Sequence, residues 1–350
     1  MSAFFSGVGV IFSLELRQRV RSLSWYILLA VFVGLILMVT VLLSIAFLGF
    51  GEDGGGGIYS TIIYFVLLLG TLVAPALSGN AINGDRDAGT LAATQVTLIT
   101  TWQLILGKFL AAWVTALAFL AAAVPFLIYA TIVGSLGFGT ILVSILVLAG
   151  ELGIVAAVGV GLSGLMSRPL FSIVASYLIV AGLSVGTLIA FGLGGLAVQT
   201  TVTSTSSYGQ EYNSNGVATS CTSSTTNEYP VPRFDLFWGA LVANPYVILA
   251  DAVPTTYDQY DQPTDLFGFI KLSVRSAQQA PETVTVYDEC APGSGLYEDR
   301  PTARETIEST TPGWAVGLVI QLVLAGGLLI GAHARTTTPA AKLSRGSRIA

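Results

Sequence analysis

Trp25–Phe50 reads WYILLAVFVGLILMVTVLLSIAFLGF, a run without one charged side chain. A hydrocarbon core of about 30 Å is crossed by about 20 apolar residues in a helix. Five further runs meet that length: Ile58–Ser78, Trp102–Val133, Thr140–Ser163, Leu170–Val198 and Trp314–His333. The other structure that spans lipid, a closed β-barrel, alternates its side chains with period two. These runs do not alternate, so they read as helices. Composition agrees: 53% of residues are hydrophobic and 10% charged, with mean hydropathy +0.76, where a soluble domain carries about 25% charged residues. The expected fold class is an all-α membrane protein with six transmembrane helices: five over residues 25–199 and a sixth over 314–334.

Arg17-Gln18-Arg19-Val20-Arg21 precedes the first run. That run is too long for a signal-peptide core, so the start of the chain is not read as a cleavable signal. Val8, Phe12, Leu16, Val20 and Leu23 fall at helical spacing, with Glu15, Arg17, Gln18 and Arg21 off the stripe. Residues 1–24 are therefore expected to hold an amphipathic interfacial helix; the alternative is a basic flank that only anchors topology.

Ten of the fifteen Lys and Arg residues lie at Arg17/Arg19/Arg21, Arg86 and Lys108, Arg168, and the tail Arg335/Lys342/Arg345/Arg348. Six spans put all of these on one side, which the positive-inside rule makes cytoplasmic. Both termini, including the basic tail 335–350, are expected inside a plasma or inner membrane. The other five basic residues sit with fourteen acidic ones in Thr200–Pro312. This insert, residues 200–313, is expected outside as a cap of mixed and irregular structure with its own fold. The net charge of −5 mostly reflects it and makes no case for nucleic acid as a partner.

Within the insert, Thr200–Asn227 is rich in Ser, Thr and Asn and reads as irregular. Phe234–Val253 is more apolar, is broken at Asn244-Pro245, and reads as lying on the outer membrane surface. Val284–Tyr287 alternates like a short strand. Both cysteines, Cys221 and Cys290, are here. A disulfide between them closes about 70 residues and stabilises by roughly 4 kcal/mol on the chain-entropy model; the alternative is two free thiols. Without histidines nearby they make no zinc site.

Gly79–Thr101, between the second and third spans, is polar but patterned. Asp87 or Thr90 can cap a short helix through about Gln95, and Thr100 or Thr101 can cap the third span. Gly182/Gly186 and Gly327/Gly331 have the spacing that lets helices approach closely in lipid, and Pro125 is expected to kink the third span.

Catalytic signals are sparse. Gly107-Lys108 lacks the earlier glycine and the following Ser/Thr of a Walker A loop. His333 is the only histidine, at the end of the last span, where it reads as an interfacial anchor. No metal site is expected. Glu151 stands alone as an acidic residue deep in an apolar run, where a charge costs about 3 kcal/mol on insertion scales. It is expected to face the bundle interior, either as a translocation-path residue or as a hydrogen-bonded carboxyl that holds helices together.

Asp85-Arg86-Asp87-Ala88-Gly89-Thr90-Leu91, followed by Trp102-Gln103-Leu104-Ile105-Leu106-Gly107-Lys108, resembles the signature of ABC-2 type transporter permeases. Gln103 stands where that family usually has Glu, and Leu98 where Pro is common. Asn244-Pro245-Tyr246 is similar to the family's Asn/Ser-Pro-aromatic element, and the arrangement of spans fits throughout. The resemblance implies a non-catalytic membrane subunit of an exporter. It implies a second permease copy, homo- or heterodimeric, and separate cytoplasmic ATPase subunits that bind ATP and Mg. Asp85, Arg86, Asp87, Gly89, Thr90 and Leu91 then belong to the coupling loop 79–101. Two other readings are an ion-coupled secondary transporter built on Glu151 and a membrane receptor or assembly factor acting through the outer cap.

Overall fold

A computed structural model describes residues 2–47, 53–89, 99–212, 218–288 and 301–337. It is 75% helical, and six helices are long and apolar enough to cross a membrane. They are α2 (Leu23–Ala46), α3 (Asp53–Ser78), α5 (Thr101–Gly134), α6 (Phe138–Leu165), a fifth span made of α7 (Pro169–Ala181) and α8 (Thr187–Ala197), and α12 (Trp314–Thr336). Each begins and ends within a few residues of the run read from the sequence. Before them lies α1 (Ser2–Val20), and between α3 and α5 the short α4 (Asn83–Asp87).

The centre of the molecule is α6, packed against α3, α5 and α12. Small residues make this possible. A Cβ on Gly161 or Gly164 of α6 would collide with Leu328 or Ala332 of α12, so these glycines permit the close crossing. The expected glycine pairs behave differently. Gly331 does meet Leu165, whereas Gly327 and Gly182 have nothing within 4 Å and Gly186 meets only the carbonyl of Ala181. Gly182–Gly186 is instead a π-helical turn that joins α7 to α8. Pro125 sits inside α5, which continues through it.

The insert departs most from the sequence reading. Gln199–Tyr212 (β1) and Ala218–Pro232 (β2) form a long antiparallel hairpin where irregular chain was expected. Polar side chains on both faces hide the period-two signal, but Thr is a good strand residue. Cross-strand hydroxyl pairs join Thr205 to Thr226 at 3.1 Å and Tyr208 to Thr225 at 3.0 Å. The expected strand forms as β3 (Val284–Asp288), parallel to β1, giving the order β2-β1-β3. The Cys221 side chain and all of Cys290 lie outside the described residues, and with them the expected disulfide.

Of Phe234–Val253, the first part stays at the surface, with Leu236 57% exposed, but the stretch from Leu241 on is mostly buried. After two short 3-10 turns, Phe234–Leu236 and Trp238–Ala243, the chain enters the bundle and returns as α9 (Pro245–Ala252). Val247, Ile248, Leu249 and Ala250 are buried. Leu249, Ala250 and Val253 share one hydrophobic core with α2, α3, α5 and α6, and so does Phe267 of α10 (Leu266–Ser276). Burying these apolar side chains, each worth roughly 1.5–3 kcal/mol, makes the insert continuous with the spans. Asp251 fastens α9 to α10 and to the start of α12. Its carboxylate pairs with Arg275 at 2.8 Å and accepts from the backbone N–H of Gly313 and Trp314, at the start of α12. A capped helix α11 (Ala303–Ser309) precedes that point.

Candidate functional site

The end of the bundle that carries α1 and α4 collects the residues of the permease-like signature. Lys108 of α5 is only 2% exposed and is paired with Glu15 of α1 and, at 2.7 Å, with Asp85 of α4. A buried ammonium is tolerated only when its charge is matched, and here two separate helices each supply a carboxylate. Gly107 supplies the room: a Cβ there would strike Ile11 and the carbonyl of Val8.

The face of α1 differs from the expected stripe. Val8 and Ile11 are buried, while Val20 is 48% exposed. Glu15, placed off the stripe by its charge, faces α5 because Lys108 is there to meet it. Arg19 also turns inward and donates Nη2 to the carbonyl of Leu77 at 3.2 Å, at the negative end of the α3 dipole. Burial holds its guanidinium below the ordinary arginine value, against the pull of Glu15.

The helix expected from Asp87 or Thr90 through about Gln95 falls largely outside the described residues, but a short helix, α4, lies just before it. It spans Asn83–Asp87, and its first N–H groups are met from outside: Ser163 Oγ of α6 accepts from Ile82 N at 2.9 Å and Asn83 N at 3.0 Å. Asn83 Nδ2 donates to Ser172 of α7 at 3.2 Å, and Ser172 in turn donates to the carbonyl of Gly79. Arg86 Nη1 donates to Asn83 Oδ1 and to the carbonyl of Met166, each at 2.9 Å. Asp87 and Gly89 are exposed; Thr90 and Leu91 lie outside the described residues.

Thr100 caps α5 as expected, in a reciprocal box with Gln103. Either Glu or Gln completes such a box, so Gln103, where the permeases the sequence resembles usually have Glu, can make this contact. Its Nε2 also donates to the carbonyl of Phe4, tying α5 to α1. Trp102 stacks on His333 with ring centres 4.5 Å apart, joining the start of α5 to the end of α12. One short loop is thus bonded to α5, α6 and the start of α7, and through Lys108 it is linked to α1.

A second polar centre lies deep in the bundle. Glu151 of α6 is 1% exposed, as expected of a residue facing inward. Beside it are Gln321 of α12 and Pro245, at the innermost point of the re-entering segment. Asn244 holds that corner. Its Oδ1 accepts from Tyr246 N and so caps α9, where Pro245 takes the first helical position. Its Nδ2 donates to the carbonyl of Ser184 at 2.7 Å and to Thr187 at 2.9 Å. Tyr246 stacks on Tyr64 of α3 and its hydroxyl lies 3.4 Å from Thr71. Gln321 was missed in the sequence although a lone Gln in an apolar span is a legible signal. Glu15 was misplaced, and Asn244 was noted only within a motif.

Among the described residues no group of three His, Cys, Asp or Glu side chains is placed to hold a metal ion. Compared with known protein families and with curated proteins, the chain matches none.

Proposed function

We propose that this chain is the membrane subunit of an ABC-2 type ATP-driven exporter, without a catalytic site of its own. The observation that carries the proposal is the buried Lys108, joined to Glu15 and Asp85. A force on loop 79–101 reaches α1 and α5 through these ion pairs. It reaches α6 and α7 through Ser163, Ser172 and the Arg86 bond to Met166. A partner that moves the loop therefore moves the spans, which is what a separate ATPase requires of a transport subunit. Asp87 and Gly89 face outward from this junction and are the docking candidates, with Thr90 and Leu91 beyond them in the chain.

In this reading ATP and Mg bind the partner ATPase, the junction faces the cytoplasm, and the hairpin and its helices lie outside. A second permease copy completes the path, and the exposed fifth span is free to face it or lipid. ATP binding supplies the differential interaction energy that any shift between inward- and outward-open states requires.

The test alters the outward face of the loop and leaves its bonded core alone. Asp87→Lys and Thr90→Pro are expected to leave the protein inserted and folded while ATP hydrolysis no longer drives transport. Normal coupled transport by both variants would count against the docking role.

A further inference from the structure

Glu151 Oε1 and Gln321 Oε1 are both buried and have no hydrogen-bond partner. They line one small cavity between α6, α12, the fifth span and Pro245, and they are the only polar side chains on its wall. The amide of Gln321 cannot be turned to mend this. Its Nε2 donates to the carbonyl of Ala243 at 3.0 Å, and a flip would set two carbonyl oxygens against each other. Two acceptors therefore share a cavity whose lining side chains offer no donor beyond the second N–H of the Gln321 amide. An ionised Glu151 would add a negative charge, with no cation or titratable group among the lining residues to meet it.

A carboxylic acid removes that charge and supplies a donor. The cavity has a volume of about 10 Å³, the order of space that one water occupies, and a buried water needs polar partners such as these. We propose that Glu151 and Gln321 form a binding site for one proton and one water. The proton comes from solvent and resides on the Glu151 carboxyl, whose O–H donates to the water; the water donates to Gln321 Oε1. The site is neutral, so α6, α12 and the re-entering corner are joined by hydrogen bonds that can shift without separating opposite charges. This inference is independent of any partner ATPase.

Infrared difference spectroscopy tests it on the full chain reconstituted in lipid at neutral pH. Subtracting the Glu151→Gln spectrum from the native one is expected to leave the carbonyl stretch of a protonated carboxylic acid, shifted when water is replaced by D2O. A difference containing carboxylate bands only would overturn the proposal. Gln321→Leu, made with Glu151 intact, is the second test and stands if Glu151→Gln does not insert. The acid band should persist and move to the position of a more weakly hydrogen-bonded carboxyl. An unmoved band would show that Gln321 is not its partner.

Discussion

Lys108 and Glu151 are equally deep in the protein and are treated in opposite ways. Lys108 lies at the end of the bundle between two carboxylates carried by separate helices. Glu151 lies at its centre, with an amide beside it and no ion among its lining residues. The difference teaches where this fold keeps charge. At the loop end, full charges hold three helices together, because parting a buried ion pair is strongly unfavourable. At the centre, the side chains around the carboxyl are an amide and apolar groups, with no opposite charge.

Substitutions centred on three residues, Lys108, Glu151 and Asp265, can break or sharpen this contrast. Lys108→Met should have the largest effect. It strands two inward-facing carboxylates and is expected to destabilise the purified protein by about 3–5 kcal/mol, read as a lower thermal midpoint or lost yield. Adding Glu15→Gln and Asp85→Asn should restore most of the loss. A single variant no worse than Lys→Met at an exposed position would mean that the junction holds nothing.

Glu151 should respond less and more selectively. Glu151→Gln keeps the shape and a donor and should change stability by under about 1 kcal/mol, whereas Glu151→Leu removes the donor to the proposed water beside Gln321 and should cost about 1–3 kcal/mol. The comparison is read from the midpoints of the two variants in the same detergent. Equal midpoints would deny Glu151 its polar contact, and severe loss in Glu151→Gln alone would show that a charge is needed there.

Asp265, outside the spans, is the intermediate case and the smallest expected effect. Its Oδ1 caps α10 by accepting from Gly268 N at 2.7 Å, while its Oδ2 is buried with no hydrogen-bond partner. Burial raises its carboxyl above the usual range, against the Gly268 hydrogen bond and the charge of Lys271. The folded state thus prefers the protonated acid. That contribution is fully present below the unfolded value of about 4 and is lost as pH rises through the raised one. Asp265→Asn, which can still cap, should therefore stabilise slightly at neutral pH, by under about 1 kcal/mol. The advantage should shrink on acidification. An advantage independent of pH would remove titration from the explanation.

The spans were legible because about twenty consecutive apolar side chains have one physical meaning in a chain of this composition. Thr100 and its box with Gln103 were legible because capping is local. What escaped was determined at a distance. The α4 helix starts where Ser163, some eighty positions later, meets its first N–H groups. Glu15 faces inward because of Lys108, which no helical stripe on α1 reveals. The re-entering corner looked like a surface segment because Pro245 breaks its apolar run, although the break is the turn that lets it come back as α9. The hairpin was hidden by its polarity, since the usual alternation needs one dry face.

The most direct measurement is purification of the tagged chain from its native cells in mild detergent, with mass spectrometry of what accompanies it. The account expects a stoichiometric ATPase bearing Walker motifs, retained by the native chain and lost from Asp87→Lys. A reproducible complex with no ATPase in it would contradict the account and shift attention to the outer insert and to Glu151.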